Sequence, residues 1–340
     1  MKRLRRSQAF VLVGWLVVIT AAAALLSWWR LARLPLLSVP VSPWPGYAYL
    51  ALAAEKGLDQ QQGIRIEVRR YADPQLILRD LAWGRLPLAQ ITTVELVDLC
   101  GRVPQRCPVV VLAVDESRGA DQLLLANDLP DLKALRGQTV AVTPSSLGPF
   151  LVSRALEQAG MTLQDVSLSS ISLREMPARL ASGELDAAAM YPPFSSWALR
   201  TGKARVVFDS RSIPGEIHDV LVVDRRFLAS NRDLVARLLR AWQAAHRYAA
   251  EHPRTANAWL AELQGLSVAE FETVQDGILY LPLEQQRQML ASGGALERNL
   301  RALQRVQVQL GLLPPARPLP QVSDAPVSYT HLTLPTKRIV

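Results

Sequence analysis

The chain has 340 residues, a hydrophobic share of 49% and a formal net charge of +8, which is length enough for two compact lobes. Lys2, Arg3, Arg5, Arg6, Arg30 and Arg33 stand with no acid among the first 35 residues, and Lys337 and Arg338 lie at the other end. Residues 36–336 are therefore neutral overall, which removes the main support for a nucleic-acid partner.

MKRLRR precedes Ala9–Trp29, a run of 21 residues without a charge. At 1.5 Å per residue it would span about 30 Å, the thickness of a bilayer's hydrocarbon core. The basic flank keeps the N-terminus in the cytoplasm and sends the body out. Residues 1–35 read either as an uncleaved membrane anchor or as a signal peptide cleaved after Ala22-x-Ala24. Both place the body in the periplasm or on the outer face of the cytoplasmic membrane. No cysteine precedes position 100, so a lipoprotein anchor is excluded. In an oxidising compartment Cys100 and Cys107, flanking the loop GRVPQR, are expected to form a disulfide. The alternative, a metal or redox pair, lacks CxxC spacing and a nearby His.

Pro35, Pro40, Pro43 and Pro45 read as a spacer, after which strand and helix signals alternate. Tyr47–Lys56 reads as a helix ended by Gly57, Ile64–Val68 as a strand, and Pro74–Ala82 as a helix. Ala89–Thr92 reads as a strand, Val94–Cys100 as a helix, and Pro108–Val114 as an apolar strand. The order resumes at Gln138: Thr139–Val142 alternates as a strand, and a helical pattern through Phe150, Leu151, Ala155 and Leu156 follows the turn Thr143–Gly148. Ser145 or Ser146 then falls at a helix N-cap, beside free N–H groups and the positive end of a helix dipole. Such a place is either a plain cap or a seat for an anion. Alternation of this kind predicts an α/β fold with a largely parallel sheet.

One echo ties two parts of the chain together. Leu81-Ala-Trp-Gly84-Arg-Leu86-Pro-Leu-Ala89-Gln-Ile91 is matched by Leu180-Ala-Ser-Gly183-Glu-Leu185-Asp-Ala-Ala188-Ala-Met190. Each reads as a helix end, a glycine suited to the C′ position and a short buried strand. Chance likeness of two ordinary units is the bland alternative. Otherwise two lobes share one plan, and a ligand sits in the cleft outside their strand ends. After Asp224 the pattern is helical: Asp233–Glu251, Ala256–Leu263, Val268–Gly277 and Leu296–Leu310. Ser267-x-x-Glu270 is a capping box, and Leu234, Leu238, Trp242, Ala245 and Ala249 form a core stripe. Pro314–Pro320 breaks structure. Residues 327–340, with VSYTHLTLPT, read as a translated sequencing adapter and are set aside from fold reasoning.

WPGY at Trp44–Tyr47, the echo, DESRGAD at Asp115–Asp121, DLKALRGQTVAVTPSSLG at Asp131–Gly148 and IPGEIHDVLVV at Ile213–Val223 resemble a known family. It is the periplasmic substrate-binding proteins of ABC importers, in the nitrate, sulfonate, taurine and thiamine-precursor branch. The resemblance covers about 40–313. Pro87 departs from it, standing where many relatives have an acid after G-x-L. It implies a two-lobed, type II-like α/β binding-protein fold, each lobe a mainly parallel sheet flanked by helices, with the ligand cleft between. The divisions expected are 1–35 signal or anchor, 36–122 the first part of lobe one, and 123–220 lobe two. Then come 221–313 as the return to lobe one with the C-terminal helices, 314–326 a Pro-rich tail, and 327–340 adapter.

By the same resemblance the cleft is lined by Trp44, Gly46 and Tyr47, by Thr92, Thr93 and Glu95, and by Ser145, Ser146 and Gly148 as an anion-facing helix start. Tyr191 and Phe194 lie across from them, and Glu216, His218 and Asp219 sit where the chain returns to lobe one. Each has a plainer reading: the aromatics as packing, Thr92 and Thr93 as caps, and His218 as part of a surface turn. Asp115, Glu116 and Asp121 read as a solvated turn, with binding of a cationic head group as the alternative. No metal site is expected, because His246 and His252 fall in a scaffold helix. No cofactor or nucleophile–base pair is expected either. The function implied is capture of a small anionic or amphiphilic solute, sulfonate-, taurine- or nitrate-like, by a monomer that delivers it to an ABC permease and its ATPase. The competing readings are a receptor's sensory input domain and a thiamine-pyrimidine synthase, whose CCCFG motif does not occur here.

Overall fold

The computed structural model describes residues 33–315 and 317–325, together with Trp15, Val18, Thr20 and Ala21. The rest of the expected membrane segment and residues 327–340 lie outside the described residues. Among the described residues no helix is long and apolar enough to cross a membrane.

The first sheet has the order β11-β4-β10-β3, with β12 beside β4. Its strands are β3 (Leu88–Thr92), β4 (Val109–Ser117), β10 (His218–Val223), β11 (Ile278–Tyr280) and β12 (Gln321–Val322). The second has the order β7-β6-β8-β5-β9, built from β5 (Gln122–Ala126), β6 (Thr139–Val142), β7 (Ser167–Ser170), β8 (Ala187–Met190) and β9 (Ala204–Asp209). A parallel pair, β1 (Leu36–Val41) with β2 (Arg65–Arg70), completes the strands described.

The chain passes between the two sheets twice, from β4 to β5 and from β9 to β10. Strands made within a lobe, β3 and β8, end at the cleft, whereas β5 and β10 begin there. β5 therefore runs antiparallel to β8, and β10 antiparallel to β3 and β4. For this reason the sheets are mixed rather than mainly parallel, with parallel pairing kept at β6–β7, β6–β8 and β12–β4. The echo is visible in the backbone: Gly84 and Gly183 both end a helix in the left-handed region, at φ +72° and +79°, and both lead to the strand beside a crossover.

The expected spacer is corrected at its start. Leu36–Val41 is a strand, and its Pro40 is tolerated because β1 has β2 as its one ladder partner among the described residues, leaving the missing N–H on a free edge. The helix expected to reach Gly277 stops at Gln275 and gives way to β11 on the edge of β4. Of the stripe on the helix Arg232–Glu251, Leu238, Trp242 and Ala245 are buried, and Leu234 and Ala249 pack against the core from its margin. Cys100 and Cys107, both buried, are joined as a disulfide at the end of the helix Thr93–Arg102.

Candidate functional site

The strand register assembles the site. Asp219, near the start of β10, stands opposite Thr92 on β3 and opposite Asp115 on β4. Strands lie about 5 Å apart, so the two aspartates project from one face as adjacent carboxyls. The 3-10 turn Pro45–Tyr47 packs over this row. Trp44 Nε1 donates to Asp115 Oδ2 at 3.3 Å, and Tyr47 Oη donates to Asp219 Oδ1. Gly46 permits the approach: a Cβ there would stand 2.0 Å from Asp115 Oδ2 and 2.6 Å from Trp44 Nε1.

Around this row the two lobes close on one cavity. Trp44, Tyr47, Gln90, Thr92, Glu95 and Asp219 line it from the first sheet's side, Leu147 and Tyr191 from the second's, and Asp121 from the crossover between β4 and β5. Trp44 and Tyr191 meet edge to face across it, with ring centroids 5.5 Å apart. The free volume inside is about 30 Å³, room for a few waters. The lobes are closed on each other in this structure.

The chemistry of the lining is acidic. Burial, and to a lesser degree neighbouring negative charge, pushes the carboxyls of Asp115 and Asp121 up to about 7. The same causes, with Asp115 as the main neighbour, raise Asp219 well above the usual range. Burial raises Glu95 too, although hydrogen bonds from Thr92 and Ser145 offset part of the effect. Two carboxyls side by side cannot both ionise cheaply, so the Asp115–Asp219 pair holds a proton near neutral pH. The Tyr47 and Tyr191 hydroxyls are pushed well above 10 by burial and by these acids, and stay protonated donors.

The remaining named residues divide. Thr92 lines the cavity and forms a capping box with Glu95: its Oγ1 accepts from Glu95 N at 3.1 Å and donates to Glu95 Oε2 at 2.9 Å. Thr93 is wholly buried, its Oγ1 accepting from His218 N at 3.3 Å. Ser145 and Ser146 do not line the cavity. Ser145 hydrogen-bonds Glu95, and Ser146 Oγ donates to Val94 O at 3.3 Å, so both reach across to the first lobe. Glu95 thus fills the negative position beside this helix start that the sequence reading gave to an anionic ligand. Gly148 lies behind, close to Val142 and Thr143. Phe194 is buried behind Tyr191, ring centroids 6.0 Å apart.

Glu216, His218 and Asp219 do not act as one cluster. Successive residues of a strand point to opposite faces, so Asp219 faces the cavity while His218 pairs with Glu116 on the other side, Nε2 to Oε2 3.9 Å. Glu216 is held by Arg154 through two hydrogen bonds of 2.7 Å. Glu116, held low by Arg118 and Gly215 N despite its burial, binds Arg118 at 2.9 and 3.2 Å. The solvated turn expected at Asp115–Asp121 is also corrected. Asp115, Glu116 and Asp121 are 0%, 6% and 3% exposed, each for its own reason. The turn Pro45–Tyr47 lies over Asp115, Gly215, Arg118 and His218 surround Glu116 on the other face, and Asp121 lies in the cavity between the lobes. Gln90 escaped the sequence reading, although one polar residue within the apolar strand Leu88–Thr92 was the signal for it.

These features can be set beside known proteins. A Brucella abortus protein named only for binding, with no ligand in its name, is 21% identical over 236 residues, 68% of this chain and 72% of its own. The alkanesulfonate-binding protein SsuA of Xanthomonas axonopodis pv. citri, solved with MOPS, is similar at TM-score 0.70 and 18% identity, over 86% of this chain and 97% of that one. The periplasmic nitrate-binding protein NrtA of Synechocystis PCC 6803 is similar at TM-score 0.66 and 15% identity, over 87% and 86%. The desulfurization enzyme DSZB is similar at TM-score 0.63 and 20% identity, over 87% and 98%, so one fold serves binding and catalysis alike. The chain has the fold of the periplasmic binding proteins, and because the model of the NMT1-like family matches its residues 34–263, it belongs to that family.

Proposed function

We propose that this chain is an extracytoplasmic solute-binding protein, a monomer that captures a small solute between two lobes and delivers it to an ABC permease with its ATPase. The lobes proposed are 36–122 with 221–313, and 123–220. The observation that carries the reading is convergence: one cavity takes its walls from the sides of both sheets and from the crossover at Asp121. Fold and family similarity support it by analogy. The role proposed is non-catalytic: the two cysteines are bonded to each other, and the one lining aliphatic hydroxyl bound to an acid, Thr92 on Glu95, is used as a helix cap. The anionic solute expected from sequence draws no support from the lining, where no Lys or Arg occurs among the described residues.

A thermal-shift screen over nitrate, bicarbonate, sulfonates, pyrimidines and organic amines tests the reading. A bound solute should raise the melting temperature progressively with its concentration, by RT ln(1 + [L]/Kd) in free energy. Silence across the whole panel would sink it.

A further inference from the structure

We propose that the solute is a small organic cation, its ammonium or amidinium group held between the aromatic wall of Trp44, Tyr47 and Tyr191 and the carboxyls of Asp121 and Asp219. The inference rests on the solute-binding reading and narrows it. Three independent features point the same way.

The first is charge. Among the described residues the cavity has no cationic wall. The nearby arginines are occupied elsewhere, Arg118 by Glu116 and Arg154 by Glu216. The second is Gln90, 2% exposed and facing the cavity. Its Nε2 donates to Tyr47 O at 3.3 Å, which fixes the amide and leaves Oε1 as a buried acceptor with no partner. A ligand bearing N–H donors completes that acceptor, whereas a sulfonate or nitrate oxygen would repel it. The third is the wall itself. Indole and phenol faces attract organic cations through their quadrupoles, and Trp44 and Tyr191 stand edge to face from opposite lobes, so opening the cleft uncovers both. A metal ion is a poorer fit, because the described acids do not bring three ligands to one point. A cation with its charge spread over several atoms suits separated carboxyls.

Binding should be linked to protons. Asp219 is faced by Asp115 from β4, by Tyr47 from the turn, by Glu95 from the helix Thr93–Arg102 and by Asp121 from the crossover, with Tyr191 completing the surround. All of these are acidic or neutral, so the cleft's acids keep protons until a cation displaces them. A bound cation favours the ionised carboxyl, and its affinity rises with pH, by up to about tenfold per unit below pH 7 for one proton released. An anion would show the opposite slope.

Titration calorimetry on the purified protein, from pH 5 to 8, decides the matter. The cations are methylammonium and benzamidinium, the neutral isostere is benzamide, and the anions are methanesulfonate and benzoate. The expected result is binding by at least one cation, increasing with pH, and at least tenfold tighter than by benzamide or either anion. Asp219→Asn should cost that cation at least tenfold and flatten the pH slope without lowering thermal stability. Asp121→Asn serves as the second variant should Asp219→Asn fail to fold. Anions that bind while both cations fail would overturn the cation assignment and leave solute binding standing, as would a neutral solute from the wider screen. Failure of every solute in both experiments would overturn solute binding itself.

Discussion

Asp121 carries, in one side chain, the cost of building this cleft from acids. Folding buries it to 3% exposure, and burial with the Asp219 charge pushes its carboxyl up to about 7 from 3.8. Between those values the folded chain keeps a proton that the unfolded chain has released. Stability from this group is therefore highest in acid and is lost as pH rises from about 4 to about 7. Asparagine copies the neutral form and does not titrate. Asp121→Asn should accordingly be near neutral at pH 4.5 and stabilise the ligand-free protein by roughly 2–4 kcal/mol at pH 8, read by urea unfolding at both values. An effect that is the same at both would mean Asp121 ionises normally. Little of this was legible locally. Asp115–Asp121 has the composition of a turn, and the cover of Asp115 comes from Trp44–Tyr47, about seventy residues earlier in the chain.

At the scale of elements the sequence spoke more clearly, because helix ends and strand alternation are local physics. Gly84 and Gly183 were expected to end helices and do so at positive φ, where any side chain strains the backbone. Gly46 differs: its backbone is ordinary, and its constraint is the space under Asp115 and Trp44. The difference separates two substitutions. Gly183→Ala meets open space and should cost about 1 kcal/mol in unfolding experiments while leaving solute affinity unchanged. Gly46→Ala must push Trp44 off Asp115, and should weaken solute binding at least tenfold, read by calorimetry beside a melting curve. Equal affinity in both variants would remove the Pro45–Tyr47 turn from the site. β10 marks the limit of legibility. Glu216, His218 and Asp219 looked like one cluster in sequence, but the pleat sends Asp219 to the cleft and His218 to the far face. Only the strand's exact start decides which residue goes where, and boundaries are what a single sequence resolves worst.

Across the whole molecule the fold sets how a solute reaches the site. Trp44 and Tyr191 touch across the cavity, Ser146 donates to the facing lobe, and about 30 Å³ remains inside. No organic solute fits that space. The two crossovers, Arg118–Asp121 and Ser210–Ile217, join lobes that each have their own sheet, so rotation about them separates the walls without disturbing either core. Arg154 and Glu216 tie the second lobe's helix Leu147–Gln158 to one crossover through a pair of hydrogen bonds, and Asn299 Nδ2 donates to Gly215 O and Glu216 O from the first lobe's side. These contacts brace the crossover that would serve as the pivot. If the closed form must open before a solute enters, the observed association rate cannot rise without limit. It should level off at the opening rate as solute is increased. Trp44 reports the event, because opening removes Tyr191 from its edge. Stopped-flow tryptophan fluorescence should show this saturation in the native chain. Glu216→Gln, which weakens the clamp on the crossover, should raise the plateau while changing the dissociation rate less. A rate that climbs linearly to the highest solute concentrations would mean that solute enters without opening, and that the closed lobes described here are not what a free solute meets.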